Sequence, residues 1–219
     1  MTRLAILGAG ELGRQIAHHA PAAGLRPIGF FDDPAAAARE SATGAAAEAH
    51  GLPVLGGLQD APARRRSGDF DAALLAVGYR HRAARQSLFE GLSAAGLPFA
   101  TLVHPSCSVD PSATLGPGCV LLPGCVIDLG VTLEANVLLH VGCCIAHDSR
   151  LGAHGFCGPG VRLAGRVTVG ARAFLGIGTV ISDHLTLGDD VQTGAGAVVI
   201  RDDPGGRLLV GVPARVADH

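Results

Sequence analysis

The hydrophobic residues in the second half of the chain recur with a period of six. From Val103 to Val199, every sixth residue is Val, Leu or Ile, apart from Cys157 and Thr193. An α-helix repeats about every 3.6 residues and a simple strand every two, so neither explains this pattern. A smaller residue often stands four places later in the hexad. These smaller residues are Cys119, Cys125, Val131, Val137, Cys143, Val161, Val167, Ala173, Thr179 and Val191. One large and one small inward residue per hexad predicts a parallel β-helix, in which residues three hexads apart stack at about 4.8 Å.

The N-terminal part predicts a different fold. Its elements, in chain order, are a buried strand at 3–7, a GxGxxG turn at 8–13, a helix at about 12–23, a second strand at 27–31 and the acids Asp32 and Asp33. These are the parts of a dinucleotide-binding βαβ unit, in which the glycines let the backbone approach a pyrophosphate at the helix N-terminus. Taken alone, the motif favours NAD over other nucleotides. The alternative is a turn that only packs a helix on a sheet.

The following residues complete an α/β sheet. The predicted elements are an Ala-rich loop with a short helix at 34–51, a short strand at Val54 and Leu55, a buried strand at 72–77, a helix at about 81–95 and a closing strand at 99–103. Ligands bind at the carboxyl ends of parallel strands, so residues 8–13, 32–33 and 78–80 are expected to line one crevice. The sequence therefore predicts a Rossmann-like domain at 1–101 and a β-helix domain at 102–219 with a short tail.

Composition narrows the possible functions. The formal charge of −2 gives no reason to expect nucleic acid or an acidic membrane as partner. No apolar run approaches membrane-spanning length, and the first residues run into a strand without a signal peptide. We therefore expect a cytoplasmic protein.

The cysteines and histidines do not predict a metal site. Four cysteines fall in the small inward slot of the hexad, where a thiol packs as a small hydrophobe, and no CxxC pair exists to hold zinc. These cysteines are Cys107, Cys119, Cys125 and Cys143. Three histidines fall in three different hexads, hence on three sides of the coil, and cannot converge on one ion within a subunit. They are His140, His147 and His154.

His147 and Asp148 carry the candidate chemistry. Gly165 lies one coil above His147, where a bare backbone N–H could face the same groove. An imidazole can take the proton of an attacking amine or hydroxyl, and an N–H can stabilise the resulting oxyanion. Neighbouring residues on a strand point to opposite sides, so Asp148 can orient the imidazole only if the chain turns a corner there. The alternative is a solvated His–Asp pair on the surface.

Seven short motifs spread over nearly the whole chain resemble one family. They are Gly8-Ala9-Gly10, Phe31-Asp32-Asp33, Ala76-Val77-Gly78, Ile145-Ala146-His147-Asp148, Leu163-Ala164-Gly165, Leu175-Gly176-Ile177 and Val210-Gly211-Val212-Pro213-Ala214-Arg215. Together they resemble the nucleotide-sugar N-acetyltransferases of the left-handed β-helix superfamily, which include the bacillosamine and GDP-perosamine acetyltransferases. The sialic acid O-acetyltransferases are related and share the layout.

The resemblance implies partners and residue roles. It implies a left-handed coil and a homotrimer with active sites between neighbouring β-helices. It also implies acetyl-CoA as co-substrate and a UDP-, GDP- or dTDP-linked amino sugar as acceptor. His147 would be the general base, Asp148 its partner and Gly165 the N–H donor to the thioester carbonyl. The residues implied along acetyl-CoA are Phe156, Gly165, Ile177 and Ala195. Those implied for the sugar nucleotide are Gly8, Gly10, Glu11, Leu12, Asp32, Asp33 and Gly78. Several members carry a His in place of Leu12, and a Glu in place of Asp148.

Three hypotheses follow for the function. The first is N-acetylation of a nucleotide-linked amino sugar of the 4-amino-4,6-dideoxy type, and the second is O-acetylation of a sugar hydroxyl, as in the sialic acid branch. The third is an NAD-dependent oxidoreductase or a nucleotide-sensing protein that uses the β-helix only for trimerisation. Against the third, the sequence predicts no second catalytic domain that would present a substrate to nicotinamide. We favour the first, because a diphosphate site followed by an acyltransferase β-helix explains both halves of the chain.

Overall fold

A computed structural model describes residues 1–33 and 48–217, and the chain divides into two compact units, Met1–Leu102 and Val103–His219. The strands of the first unit are β1 (Thr2–Leu7), β2 (Leu25–Phe31), β3 (Glu48–Ala49), β4 (Leu52–Gly56) and β5 (Ala72–Leu75). Its helices are α1 (Glu11–His19), α2 (Ala61–Arg66) and α3 (Arg82–Ala94), with 3₁₀ turns at Pro21–Ala23, Leu58–Asp60 and Tyr79–His81. The sheet order is β3-β4-β2-β1-β5, with β1 parallel to β2 and β5. Strand β1, between β2 and β5, is fully buried from Leu4 to Leu7.

The predicted elements of this unit differ from the structure mainly at their ends. The helix predicted at 12–23 ends at His19, because Pro21 has no amide hydrogen and its ring would clash with the preceding turn. The strand predicted at 72–77 ends at Leu75. Of the loop predicted at 34–51, residues 34–47 lie outside the described part, and the next two residues form β3. No pattern predicts α2, since six residues that include three consecutive arginines carry no apolar period.

The second unit is a parallel β-helix of about six coils. Its two-residue strands stack one coil apart, so that Val126 and Ile127 pair with Cys144 and Ile145. The second residue of each strand points inward, and these residues together with the small ones form one buried core. The period of six therefore predicted the coil, its register and its core correctly.

Three sheets form the sides of the coil. Sheet 1 contains Ser108–Val109, Val126–Ile127, Cys144–Ile145, Arg162–Leu163, Val180–Ile181 and Val198–Val199. Sheet 2 contains Thr114–Leu115, Thr132–Leu133, Arg150–Leu151, Thr168–Val169 and Thr186–Leu187. Sheet 3 contains Leu102–Val103, Val120–Leu121, Leu138–Leu139, Phe156–Cys157, Phe174–Leu175, Gln192–Thr193, Leu208–Gly211 and Ala214–Val216.

The tail ends the coil with a hairpin. The hexad pattern stops past Asp202, as expected, and Gly205 and Gly206 turn with positive φ angles of 95° and 69°. Strand Leu208–Gly211 adds to sheet 3 beside Gln192–Thr193, and Ala214–Val216 returns antiparallel to it. The last strand covers the final edge of sheet 3 and was not predicted.

Five of the six cysteines pack in or against the core of the coil, whereas half-buried Cys144 points outward from sheet 1. All six are reduced thiols. The thiols at the small inward positions donate to corner carbonyls of the coil, for example Cys125 Sγ to His140 O at 3.2 Å. Burial raises the pKa of the Cys157 thiol. These groups therefore contribute packing and weak hydrogen bonds, not metal ligands or nucleophiles.

Candidate active site

The turn that joins sheet 1 to sheet 2 holds His147 and Asp148. Asp148 has a left-handed backbone conformation, with a φ of 56°, so the chain bends at this residue. The bend brings the carboxylate back toward its neighbour, and His147 Nδ1 lies 3.0 Å from Asp148 Oδ2. The chain therefore turns the corner that Asp148 needs in order to orient the imidazole.

The hydrogen bond determines which imidazole nitrogen can act. The bond from His147 lowers the pKa of the Asp148 carboxyl, with Arg166 adding a smaller effect in the same direction. An ionised carboxylate can only accept, so Nδ1 carries the hydrogen of the neutral ring. Nε2 is then left with a lone pair that can take a proton.

Gly165 lies directly against this reactive nitrogen. A β-carbon added at Gly165 would stand 2.5 Å from His147 Nε2 and 2.6 Å from Cε1. The neighbouring amides belong to the coil ladder, since Ala164 N–H bonds to Ile181 O and Arg166 N–H bonds to His147 O. Within the described residues the Gly165 N–H has no such acceptor. The proton acceptor thus packs against a residue whose N–H the coil ladder does not use.

The pair is accessible to solvent in the single chain. The side chains of His147 and Asp148 are 49% and 50% exposed, and Arg166 Nε lies 3.7 Å from Asp148 Oδ2. An ordinary surface His–Asp pair has no need of a glycine packed on the ring. The close approach of Gly165 therefore favours a functional site over a solvated pair.

Most outward residues of sheet 1, which adjoins His147, are apolar. They are Val126, Cys144, Val180 and Val198, of which Val126 and Val180 are 44% and 38% exposed, and the polar exceptions are Ser108 and Arg162. The outward residues of sheet 2 are polar, namely Thr114, Thr132, Arg150, Thr168 and Thr186. The His147 corner thus separates a polar face from a largely apolar one, and apolar surface of this kind often marks an interaction site.

Apart from Gly165, the residues implied for acetyl-CoA lie away from His147 within one chain. Ile177 and Ala195 are on the corner between sheet 3 and sheet 1, and Gly196 N–H bonds to Ile177 O at 2.8 Å, so the two stack one coil apart. Phe156 lies in sheet 3, is 8% exposed and has its ring 5.8 Å from that of Phe174. These residues and the His147 corner flank opposite edges of sheet 1.

The Gly-rich turn of the N-terminal unit is tightly built. Gly8 has a φ of 117°, and a β-carbon at Gly13 would lie 2.1 Å from the Gly8 carbonyl oxygen, so both positions require glycine. Asp32 Oδ2 accepts the Ala9 N–H at 2.7 Å, while Oδ1 accepts the N–H of Asp33 at 2.7 Å. Asp32 therefore holds the loop together, and Asp33 is the exposed carboxylate of the pair.

Two glycines leave open space at the ends of strands. Gly10 caps the N-terminus of α1 and Gly78 caps the 3₁₀ turn Tyr79–His81, and neither has a side-chain cap. A β-carbon on either glycine would meet nothing within 4 Å. Leu12 is half-buried in the first turn of α1, and Glu11 pairs with Arg14 at 2.7 Å. Uncapped N–H groups at a helix N-terminus suit a phosphate.

Sequence reasoning missed two residues in this region. His50 Nε2 lies 2.7 Å from the carbonyl oxygen of Ala9. Arg85 is 1% exposed, and its Nη1 donates to Val77 O at 3.1 Å, next to Gly78. A charged residue at a helix position that faces the sheet is a signal for Arg85. The signal for His50 is a His-Gly pair between two short strands.

Among residues 1–33 and 48–217, no group of three or more His, Cys, Asp and Glu side chains is arranged to hold a metal ion. His140, His147 and His154 occupy three different corners, and buried His154 pairs with Asn136 at 3.0 Å. The described helices include none of the length and apolarity that a membrane crossing requires.

Sequence scans against protein-family models and against curated proteins match none. Solved structures do match. PerB from Caulobacter crescentus, in complex with CoA and GDP-perosamine, is 31% identical over 100% of this chain and 98% of that one, with a TM-score of 0.88. The acetyltransferase domain of PglB from Neisseria gonorrhoeae is 30% identical over 99% and 100%, with a TM-score of 0.86. WeeI from Acinetobacter baumannii, at 22% identity, 99% and 100% coverage and a TM-score of 0.67, has the same fold.

These matches define the class as an acyltransferase with a Rossmann-like unit followed by a left-handed β-helix. Within that class, the chain belongs to the nucleotide-sugar N-acetyltransferases of the hexapeptide-repeat superfamily. The predictions of the family, of the fold class and of an enzyme are thereby confirmed.

Proposed function

We propose that the protein transfers the acetyl group of acetyl-CoA to the amine of a nucleotide-linked 4-amino sugar. Family membership supports the reaction type, as do the ligands of its relatives: PerB was solved with CoA and GDP-perosamine, and the PglB domain also with acetyl-CoA. The observation that carries the assignment is Gly165 packed on His147 Nε2. A base and an oxyanion donor in contact are what acyl transfer requires.

The proposed mechanism is a direct attack on the thioester. The sugar amine attacks the thioester carbonyl carbon as His147 Nε2 takes the amine proton, and the Gly165 N–H stabilises the oxyanion. Collapse of the tetrahedral intermediate breaks the carbon–sulfur bond, and the CoA thiolate takes the proton from the imidazolium. The Asp148 carboxylate holds the ring and stabilises its charged form.

The N-terminal unit holds the nucleotide in this proposal. The open N–H groups at Gly10, Glu11 and Leu12 would bind the diphosphate, with Gly78 as a second open approach. Asp33 would bond the ribose or the base. Asp32 and Gly8 act indirectly by shaping the loop, because the carboxylate of Asp32 already bonds Ala9 and Asp33. The nucleotide would be GDP, UDP or dTDP. GDP-perosamine, the ligand of PerB, makes GDP the first nucleotide to test.

A homotrimer would complete the site. The His147 corner and the Ile177 corner lie at opposite edges of the largely apolar sheet 1. A contact between two different corners is heterologous, and heterologous contacts close into a ring where the rotation between copies allows it, here three copies by the family resemblance. Three copies would therefore bring the Phe156, Ile177 and Ala195 surface of one protomer to the His147 corner of the next, with acetyl-CoA between them. We expect this assembly in the cytoplasm, where acetyl-CoA and nucleotide sugars are available.

The direct test incubates the protein with acetyl-CoA and each of GDP-perosamine and UDP- and dTDP-linked 4-amino sugars, with thiol release and product mass as readouts. We expect thiol release and an acetylated product with one of these amines. Thiol release only with hydroxyl sugars would favour O-acetylation. Thermal stabilisation by NAD, without stabilisation by acetyl-CoA or any sugar nucleotide, would reverse the assignment.

A further inference from the structure

The hairpin between β3 and β4 has a histidine where the backbone favours asparagine or glycine. Ala49 pairs with Leu52, so the connecting loop consists of His50 and Gly51 alone. Their φ angles are 49° and 77°. Two positive φ angles are the signature of a type I′ turn, for which Asn-Gly is the preferred sequence. Histidine tolerates a left-handed φ better than most residues, but asparagine is the residue that this turn prefers at the first position.

The histidine side chain compensates by reaching the Gly-rich turn. His50 Nε2 lies 2.7 Å from the Ala9 carbonyl oxygen, and a carbonyl only accepts, so Nε2 carries the hydrogen. The ring of His50 packs edge-on against Phe30, with centroids 5.9 Å apart and planes at 73°. The imidazole is thus held on two sides.

The contact completes a clamp on one residue of the turn. Asp32 accepts the Ala9 N–H at 2.7 Å, and His50 donates to the Ala9 carbonyl. Gly10 follows immediately as the N-terminal cap of α1. Ala9, which leads into this helix, is therefore held at both its N–H and its carbonyl, by the residue that follows β2 and by the turn between β3 and β4.

We propose that His50 is a positioning residue of the nucleotide site: its bond to Ala9 aims the N–H groups after Gly10 at the diphosphate of a nucleoside diphosphate. The inference rests on the proposed function, since it assumes that the Gly-rich turn binds the nucleotide. His50 acts through the loop without touching the acetyl group. Its loss should therefore weaken nucleotide binding and leave acetyl-CoA binding unchanged.

Two variants separate this role from a purely structural one. His50→Asn suits the turn better than histidine but is too short to reach the Ala9 carbonyl. His50→Gln keeps a donor at a similar reach but retains the positive φ. We expect His50→Asn to melt at the same or a higher temperature while binding GDP or UDP about fivefold more weakly, the usual scale for one hydrogen bond. His50→Gln should bind the nucleotide within about twofold of wild type, without the gain in melting temperature.

The measurements are calorimetric titrations with GDP and with UDP, the melting temperature, and KM for the sugar nucleotide and for acetyl-CoA. His18→Gln, an exposed imidazole of α1, is the matched control and should leave all of them unchanged. If His50→Asn binds the nucleotide as tightly as wild type, the inference is wrong but the proposed function is unaffected. Weaker binding that tracks a lower melting temperature in both variants would also overturn the inference. Failure of the wild-type protein to bind any nucleotide would overturn the proposed function together with it.

Discussion

Replacing Gly165 by alanine tests the geometry of the proposed site most directly. The new β-carbon would stand 2.5 Å from His147 Nε2, and ordinary contacts begin at 3.4 Å, so the ring must move by 0.9 Å. The φ of Gly165 is outside the left-handed region, so alanine fits the backbone. The ring is about half exposed and can move toward solvent, so the fold should remain intact.

A displacement of this size is enough to impair catalysis. Misplacement of a reacting group by about 1 Å can lower the rate ~100-fold, equivalent to about 2.7 kcal/mol of transition-state stabilisation. We expect kcat/KM to fall by about this factor in a thiol-release assay, with nucleotide affinity and melting temperature unchanged. Asp183→Ala, one coil above in the same column, is the control and should retain activity.

The same variant can be tested in a double-mutant cycle. If Gly165→Ala acts by moving His147, it should have little further effect in a His147→Asn background. Activity of Gly165→Ala within about threefold of wild type would refute the reasoning, because the ring position would then not matter. Additive losses in the double variant would mean that Gly165 acts independently of the imidazole.

Three further predictions address the base, the assembly and the acid stability. His147→Asn should lower kcat by about two orders of magnitude or more with an unchanged nucleotide affinity, and normal turnover would show that the amine needs no base. Val180→Arg on sheet 1 should dissociate the proposed trimer in sedimentation experiments and reduce activity, whereas Thr168→Arg on polar sheet 2 should do neither. The hydrogen bond from Arg3 lowers the pKa of Asp71 to about 2, so its stabilising effect is full above pH ~4 and is lost as pH falls through about 2. Urea unfolding of Asp71→Asn should therefore show a smaller loss of stability between pH 6 and pH 2.5 than wild type, and an equal loss would contradict the assignment.

The coil was predictable because its pattern is local and repeated. Each hexad places one large and one small residue inward, so Leu163 and Val167 could be assigned to the core without knowing their neighbours. The same period made residues three hexads apart neighbours, which identified Gly165 as the residue above His147. The Gly-rich turn was predictable for a similar reason, because the spacing of its glycines reflects the conformations that the backbone adopts within six residues.

The sequence by itself thus determined the two folds, the register of the coil and the elements that carry the candidate chemistry. Only the tertiary structure decided what individual side chains do there. The left-handed φ of Asp148 turns its carboxylate onto His147, Asp32 is committed to the loop, and His50 reaches Ala9 across 41 positions. The alternation of buried and exposed residues follows the repeat of the backbone, so it leaves a periodic pattern in the sequence. A hydrogen bond between distant residues depends on turn conformation and packing, and these leave no period in the sequence.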